Sequence, residues 1–286
     1  MISPAENPFI LIRGRKVLTI FFLVPISVSI VVFVLWPNGS HGALWADIIS
    51  QILAFCLVAY ILNLVAKRAQ LNIWLLIGRI PVKEEIVYYP LFAIPISFLS
   101  VGCIWMFYLP LSYLAPKFVN YILIEDPIII IWSEGPLFGA ANLINFCLIV
   151  IIAPIFEEFV FRGLLLSRWS KKWGTRRAIL FSSIIFGIGH VDIIGGIFFG
   201  YVMAVLYIKT RSLIIPILVH GTNNLIVWIL TLGVTILYKP MSEYSLNDFQ
   251  SEWWIGSLCL IIGIPWGIRY LKSNWPELSW HAPYFA

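Results

Sequence analysis

Apolar residues fall in long runs separated by short polar stretches. Val17 to Trp36 forms the first run, about 20 residues and enough for a helix across the hydrocarbon core. Further runs extend from Trp45 to Ala66, Val87 to Leu114, Leu137 past Arg162 to Trp169, Ser212 to Tyr238 and Trp253 to Leu271. Ala178 to Ile193 and Ile194 to Ile208 are shorter and adjoin each other. The pattern predicts an all-α, polytopic membrane protein with about eight transmembrane helices. The two short runs together hold too few residues for two full spans, so they predict a short helical hairpin that need not cross the bilayer. Its turn, with His190 and Asp192, would then stop inside the membrane, and Gly187, Gly189, Gly195 and Gly196 would let its arms pack closely. Leu71 to Ile80 is too short to span and is expected at the interface. Tyr121 to Trp132, interrupted by Glu125, Asp126 and Pro127, is expected to be re-entrant or interfacial.

Composition supports this assignment. The 286 residues are 60% hydrophobic and only 12% charged, with a mean hydropathy of +0.93. A soluble domain carries about a quarter charged residues, so soluble, disordered and fibrous classes are excluded. The net charge of +5 does not point to nucleic acid, because the basic residues sit in short clusters between apolar runs. Basic loops mark the cytoplasmic side. If the N-terminus is cytoplasmic and sides alternate, sixteen of eighteen basic residues fall on that side, with Arg162 left inside a helix. Lys117 and Lys239 are the exceptions. Both termini are therefore expected in the cytoplasm, with the cell membrane as the site, and Val17 to Trp36 is expected to be an uncleaved first helix. Cys56, Cys103, Cys147 and Cys259 lie in apolar stretches without ligand spacing and are expected to be small buried hydrophobes. A single membrane domain is expected, with motif-free transmembrane helices over 1–116 and a polar-bearing core over 137–272.

Ionisable groups within hydrocarbon are costly and need a reason. Glu157, Glu158 and Arg162 lie in one run, His190 near a turn, and His220 with Asn223 and Asn224 in another. At 1.5 Å per residue from their basic flanks, Glu157, His190 and Asn224 each lie roughly 20 Å deep and His220 roughly 13 Å. These groups can thus converge on one cavity. Glu158 and Arg162 are four apart and can pair on one helix face. Glu157 is rotated about 100° away and stays available. A buried carboxylate beside imidazoles can take a proton from water, and an asparagine can stabilise an oxyanion. The set Glu157, His190, His220 and Asn224 matches water activation for amide hydrolysis. Each residue also has a plainer explanation. Glu158 and Arg162 can be a helix clamp, each histidine a packing residue, Asn223 and Asn224 interhelical glue, and Asp192 a turn residue. No HExxH, serine elbow or paired intramembrane aspartates occur.

At these residues the sequence resembles the CPBP family of intramembrane proteases, the CAAX-protease and bacteriocin-processing (Abi) group that includes the type II CAAX prenyl protease. The family's EExxxR motif matches Glu157 to Arg162, followed by Gly163; FxxxH matches Phe186 to His190; HxxxN matches His220 to Asn224. The resemblance covers roughly Leu137 to Leu237. It implies an endopeptidase in which Glu157 activates water with help from His190. His220 and Asn224 are implied to stabilise the oxyanion, while Glu158 and Arg162, with Phe186, support the site. The implied substrate is a membrane-associated peptide or protein, lipidated or not. The family has been described both as metal-dependent and as metal-free. No obligatory cofactor is expected here; if zinc is bound, its ligands are Glu157, His190 and His220. The alternative function is a non-catalytic immunity or regulatory scaffold. A small transporter would call for an inverted repeat, and none is visible.

Overall fold

The computed structural model describes residues 7–36, 40–125, 136–238 and 244–285. Among them the one β pairing is an isolated bridge between Gly78 and Ser212; the rest of the ordered backbone is helical. The chain opens with α1 (Gly14–Leu35) and α2 (Ser40–Arg68), followed by the short α3 (Ile73–Ile77). Next, α4 (Lys83–Tyr88) runs through a 3-10 turn into α5 (Ala93–Leu114), and α6 (Pro116–Val119) follows. Then α7 (Pro136–Phe146), α8 (Ala153–Glu158) and α9 (Ser167–Trp173) form one rod, joined by π-helical segments at Cys147–Ile152 and Phe159–Leu166. The remaining helices are α10 (Thr175–Ile188), α11 (Ile193–Thr210), α12 (Ile214–Tyr238), α13 (Leu246–Ser251) and α14 (Trp253–Ser273).

Among the described residues, seven helices are long and apolar enough to cross a membrane, the longest running from Gly139 to Trp173. The protein is an integral, all-α membrane protein. The expected eighth segment is α10, whose 14 residues reach only about 21 Å, short of the roughly 30 Å hydrocarbon core. The short hairpin inferred from run length is therefore present as α10 and α11. Of the 121–132 segment, Tyr121 to Glu125 belong to a π turn, and 126–132 lie outside the described residues.

Small residues set the helix spacing, as expected where lipid removes the hydrophobic drive between helices. A Cβ on Gly196 would lie 3.0 Å from the Gly187 Cα, and one on Gly200 would lie 2.9 Å from the Ser183 Cα. The arms of the hairpin thus touch backbone to backbone. Gly263 does the same between α14 and α5, where a Cβ would come within 2.8 Å of Leu99.

The interfacial segment predicted at Leu71 to Ile80 folds back under the bundle. Leu76 is fully buried, and its carbonyl accepts a hydrogen bond from the Tyr207 hydroxyl at 2.8 Å. Leu213 N–H donates to Ile77 O and Arg79 N–H to Arg211 O, at 2.8 and 2.9 Å. Gly78 has φ +72°, and a Cβ there would meet the Arg211 carbonyl at 2.1 Å; this turn accepts only glycine. At the same end of the bundle, Phe9 packs against Tyr284 and Phe285, with ring centroids 5.0 and 5.5 Å apart. The two ends of the described chain therefore meet. α11 is the most buried of the spans, and the polar residues of interest gather around it.

Candidate active site

The rod α7–α9 carries both glutamates at the end of α8, immediately before its second π segment. π turns are rare and recur at functional sites. The two carboxylates diverge. Glu158 is fully buried and faces Arg162, Oε2 to Nε 3.1 Å. Arg162, only 1% exposed, also donates from Nη2 to the Gly200 carbonyl at 3.1 Å. A guanidinium and a carboxylate buried together neutralise each other's charge and lock the rod against α11.

Glu157 faces the other way, as the rotation between adjacent positions requires. Its Oε2 lies 3.6 Å from His190 Nε2 and 3.9 Å from His220 Nε2. That oxygen is buried and has no hydrogen-bond partner. A buried polar atom without a partner calls for a bound water, an ion or a catalytic role.

The two imidazoles are held in matching fashion. His190 Nδ1 lies 2.7 Å from the Phe186 carbonyl, which can only accept. His220 Nδ1 lies 2.9 Å from Glu158 Oε1. Each ring thus donates from Nδ1, and when neutral each presents the Nε2 lone pair toward Glu157. Glu158 therefore does two jobs, pairing with Arg162 and orienting His220. The link to His220 joins positions 62 residues apart and is invisible to local spacing.

Phe186 is the packing centre of the site. Its ring contacts the Arg162 guanidinium at 4.5 Å and stacks on His190 at 4.4 Å. It also stacks on Phe199 at 5.6 Å, and Phe199 in turn packs edge-on against His220 at 4.8 Å. Phe199 was not singled out in the sequence, because an aromatic in an apolar helix carries no signal of its own.

Asn224 lies one turn beyond His220, and its side-chain amide donates to the Ile149 carbonyl at 2.9 Å. It ties α12 to the first π segment, with its second N–H left over from that bond. Asn223 accepts from Ser97 Oγ at 3.0 Å. Asp192 caps α11, accepting from Gly195 N–H at 2.9 Å, and also accepts from Ser100. Tyr108 donates to the Val191 carbonyl at 2.9 Å. Ser100 and Tyr108 on α5 thereby hold the hairpin turn beside Glu157; neither was apparent in the sequence. Exposure falls from 39% at the His190 side chain through 20% at Glu157 to 4% at His220. The site is most exposed at the hairpin turn. Among the described residues, no three His, Cys, Asp or Glu side chains are grouped as a metal site.

A continuous helical rod with two diverging carboxylates, facing one histidine from the α10–α11 turn and one from α12, defines a polytopic membrane protein with a buried polar centre. Residues 139–226 match the family described as Rce1-like, Type II CAAX prenyl endopeptidase Rce1-like. The chain is also 35% identical over 114 residues to the protein named Putative membrane peptidase YdiL of Bacillus subtilis (strain 168). That match spans 38% of this chain and 44% of the Bacillus protein. No solved structure matches. The segment bearing the three motifs thus matches the Rce1-like family model, in agreement with the resemblance to the CPBP family, and the match leaves most of the chain uncovered.

Proposed function

We propose that the protein is an intramembrane endopeptidase in which Glu157 activates the hydrolytic water. The observation that carries this is the unpartnered Glu157 Oε2 facing two Nε2 atoms whose rings are already oriented through Nδ1. A water 2.8 Å or so from each acceptor fits hydrogen-bond geometry at the apex above a 3.6 Å pair. It gives a proton to Glu157 as its oxygen attacks the scissile carbonyl carbon. The oxyanion that forms is stabilised on the α12 side by the second Asn224 N–H, beside the His220 ring. As the C–N bond breaks, the proton on Glu157 passes to the departing amine. His190 holds the water, while Glu158, Arg162 and Phe186 keep the rings in place.

Water, rather than an obligatory metal, is the proposed occupant. Stoichiometric zinc in the purified protein, bound by Glu157, His190 and His220, would overturn that assignment. The substrate is a membrane-associated peptide or protein, reached laterally past the hairpin turn, where the site is most exposed. The meeting of the chain ends supports termini on one side, and the positive-inside pattern makes that side the cytoplasm, in a cell membrane. Residues 137–272 form the catalytic core, and helices within 1–116 enclose it.

The test is cleavage of membrane-associated reporter peptides by purified protein in lipid, in ¹⁸O-labelled water. The label is expected in the new carboxyl terminus with wild type and absent with Glu157→Ala. The second function, a non-catalytic immunity or regulatory scaffold, is separated by complementation. Equal function of wild type, Glu157→Gln and His220→Ala would favour the scaffold.

A further inference from the structure

A second polar feature lies well away from Glu157, at the basic end of the bundle. There a cavity of about 490 Å³ opens between the first turn of α1 and α9. Arg13, Arg15, Arg168 and Lys172 line it, with Trp169 and Trp173 as aromatic walls and no acidic residue. Four like charges in one cavity repel one another. Some basic residues elsewhere have polar partners: Arg79 pairs with Glu85, Arg162 with Glu158, and Lys209 donates to Asn274. None of the four around this cavity is ion-paired with a carboxylate among the described residues.

The backbone adds to the imbalance. α1 begins at Gly14 with Arg13 as its N-cap, without a side-chain cap and with no acidic residue in its first turn. Lys16 and Val17 make the first backbone bonds, to the Arg13 carbonyl, so the Gly14 and Arg15 N–H groups lie ahead of the helical ladder. A helix N-terminus attracts anions and is disfavoured beside cations. The walls are preformed: Gly14 is buried, and a Cβ on it would lie 2.7 Å from Trp169 Nε1. The two tryptophans stack at 5.6 Å.

We propose that this cavity binds the phosphate of an anionic phospholipid headgroup. The height of the site selects a lipid over a soluble anion. It sits where two spans, Gly14–Leu35 and Gly139–Trp173, meet the membrane boundary, with Leu18 in its lining and tryptophans of the kind that sit at headgroup level. Basic pockets between membrane helices recognise such headgroups. A lipid held here bridges α1 to the rod that carries Glu157, fourteen residues from Lys171.

The test uses delipidated full-length protein in detergent, with bound lipid counted by native mass spectrometry. Short-chain phosphatidylglycerol, phosphatidylcholine and inorganic phosphate are the probes. Phosphatidylglycerol is expected to bind at least about tenfold more tightly than phosphatidylcholine. Arg168→Gln/Lys172→Gln is expected to weaken it roughly thirtyfold, at about fivefold per basic residue near the surface. Arg269→Gln/Lys272→Gln, a basic pair on α14 outside the cavity, is expected to leave it unchanged. Circular dichroism establishes that both variants are folded, and Arg13→Gln/Arg15→Gln provides an independent pair on the opposite wall. Equal binding of the two lipids would overturn the proposal, as would unaltered affinity in both cavity variants. Displacement of the lipid by an equal concentration of inorganic phosphate would overturn the lipid assignment.

Discussion

Replacing Arg162 with methionine removes the cation from a pair that has no access to solvent. Glu158 is 0% and Arg162 1% exposed, and their nearest charged atoms are 3.1 Å apart. At an effective dielectric of 20, two unit charges at that separation attract by about 5 kcal/mol. Desolvation of both ions offsets much of this, so the pair as a whole contributes little net stability. Losing one partner is different, because the desolvation cost of the survivor stays without compensation. Arg162→Met should therefore destabilise the protein by about 3–5 kcal/mol. Glu158→Gln should also be costly, since it strands the guanidinium and replaces the acceptor that orients His220. The double variant should be less destabilised than the sum of the singles, by about 2–3 kcal/mol. The assay is equilibrium unfolding by SDS in mixed micelles, followed by helical circular dichroism. Additivity within about 0.5 kcal/mol would refute the buried-pair reasoning, as would an Arg162→Met cost below about 1 kcal/mol.

Three further outcomes follow from the packing and the helix caps. Gly200→Val forces new atoms onto the Ser183 backbone and should cost about 1–3 kcal/mol by overpacking, measured by the same unfolding assay, whereas Gly139→Ala, with open space around it, should be nearly neutral. Gly78→Ala combines a left-handed backbone with a clash on Arg211 and should lower the thermal midpoint; proline scanning is unnecessary, because a midpoint equal to wild type would already contradict the turn geometry. At α13 the hydrogen bonds from Ser245 hold the Asp248 carboxylate below its ordinary value. A depressed folded-state value stabilises above the unfolded value and loses that contribution as pH falls through the folded one, so the amide protection factors in Leu246–Ser251, corrected for the intrinsic exchange rate at each pH, should fall on acidification, and Asp248→Asn should flatten that dependence.

Much of the architecture was legible because bilayer thickness fixes helix length. The run from Val17 to Trp36 became α1, and the shortness of Ala178 to Ile208 foretold a hairpin with one arm of 14 residues. The divergence of Glu157 and Glu158 was also legible, since adjacent helical positions point about 100° apart. What local spacing did not reveal were contacts made across the fold. Glu158 and His220 meet because α12 passes beside α8, and no periodicity encodes that. Phe199, Ser100 and Tyr108 look like ordinary lining residues until α5 and α11 are packed around the turn. Asn224 spends one N–H on the Ile149 carbonyl, a backbone partner that a motif cannot specify. The π segments on either side of α8 likewise leave no mark in an apolar run.

The most direct test of a water-activating Glu157 is the hydrolysis rate of Glu157→Gln in proteoliposomes, against the reporter peptide that wild type cleaves fastest. The substitution keeps the size of a side chain whose Oε2 has no hydrogen-bond partner to lose, so the variant should unfold at the wild-type SDS concentration. Its rate should nevertheless fall by at least about a hundredfold, the scale of a lost general base. A folded Glu157→Gln protein that cleaves at the wild-type rate would contradict the assignment.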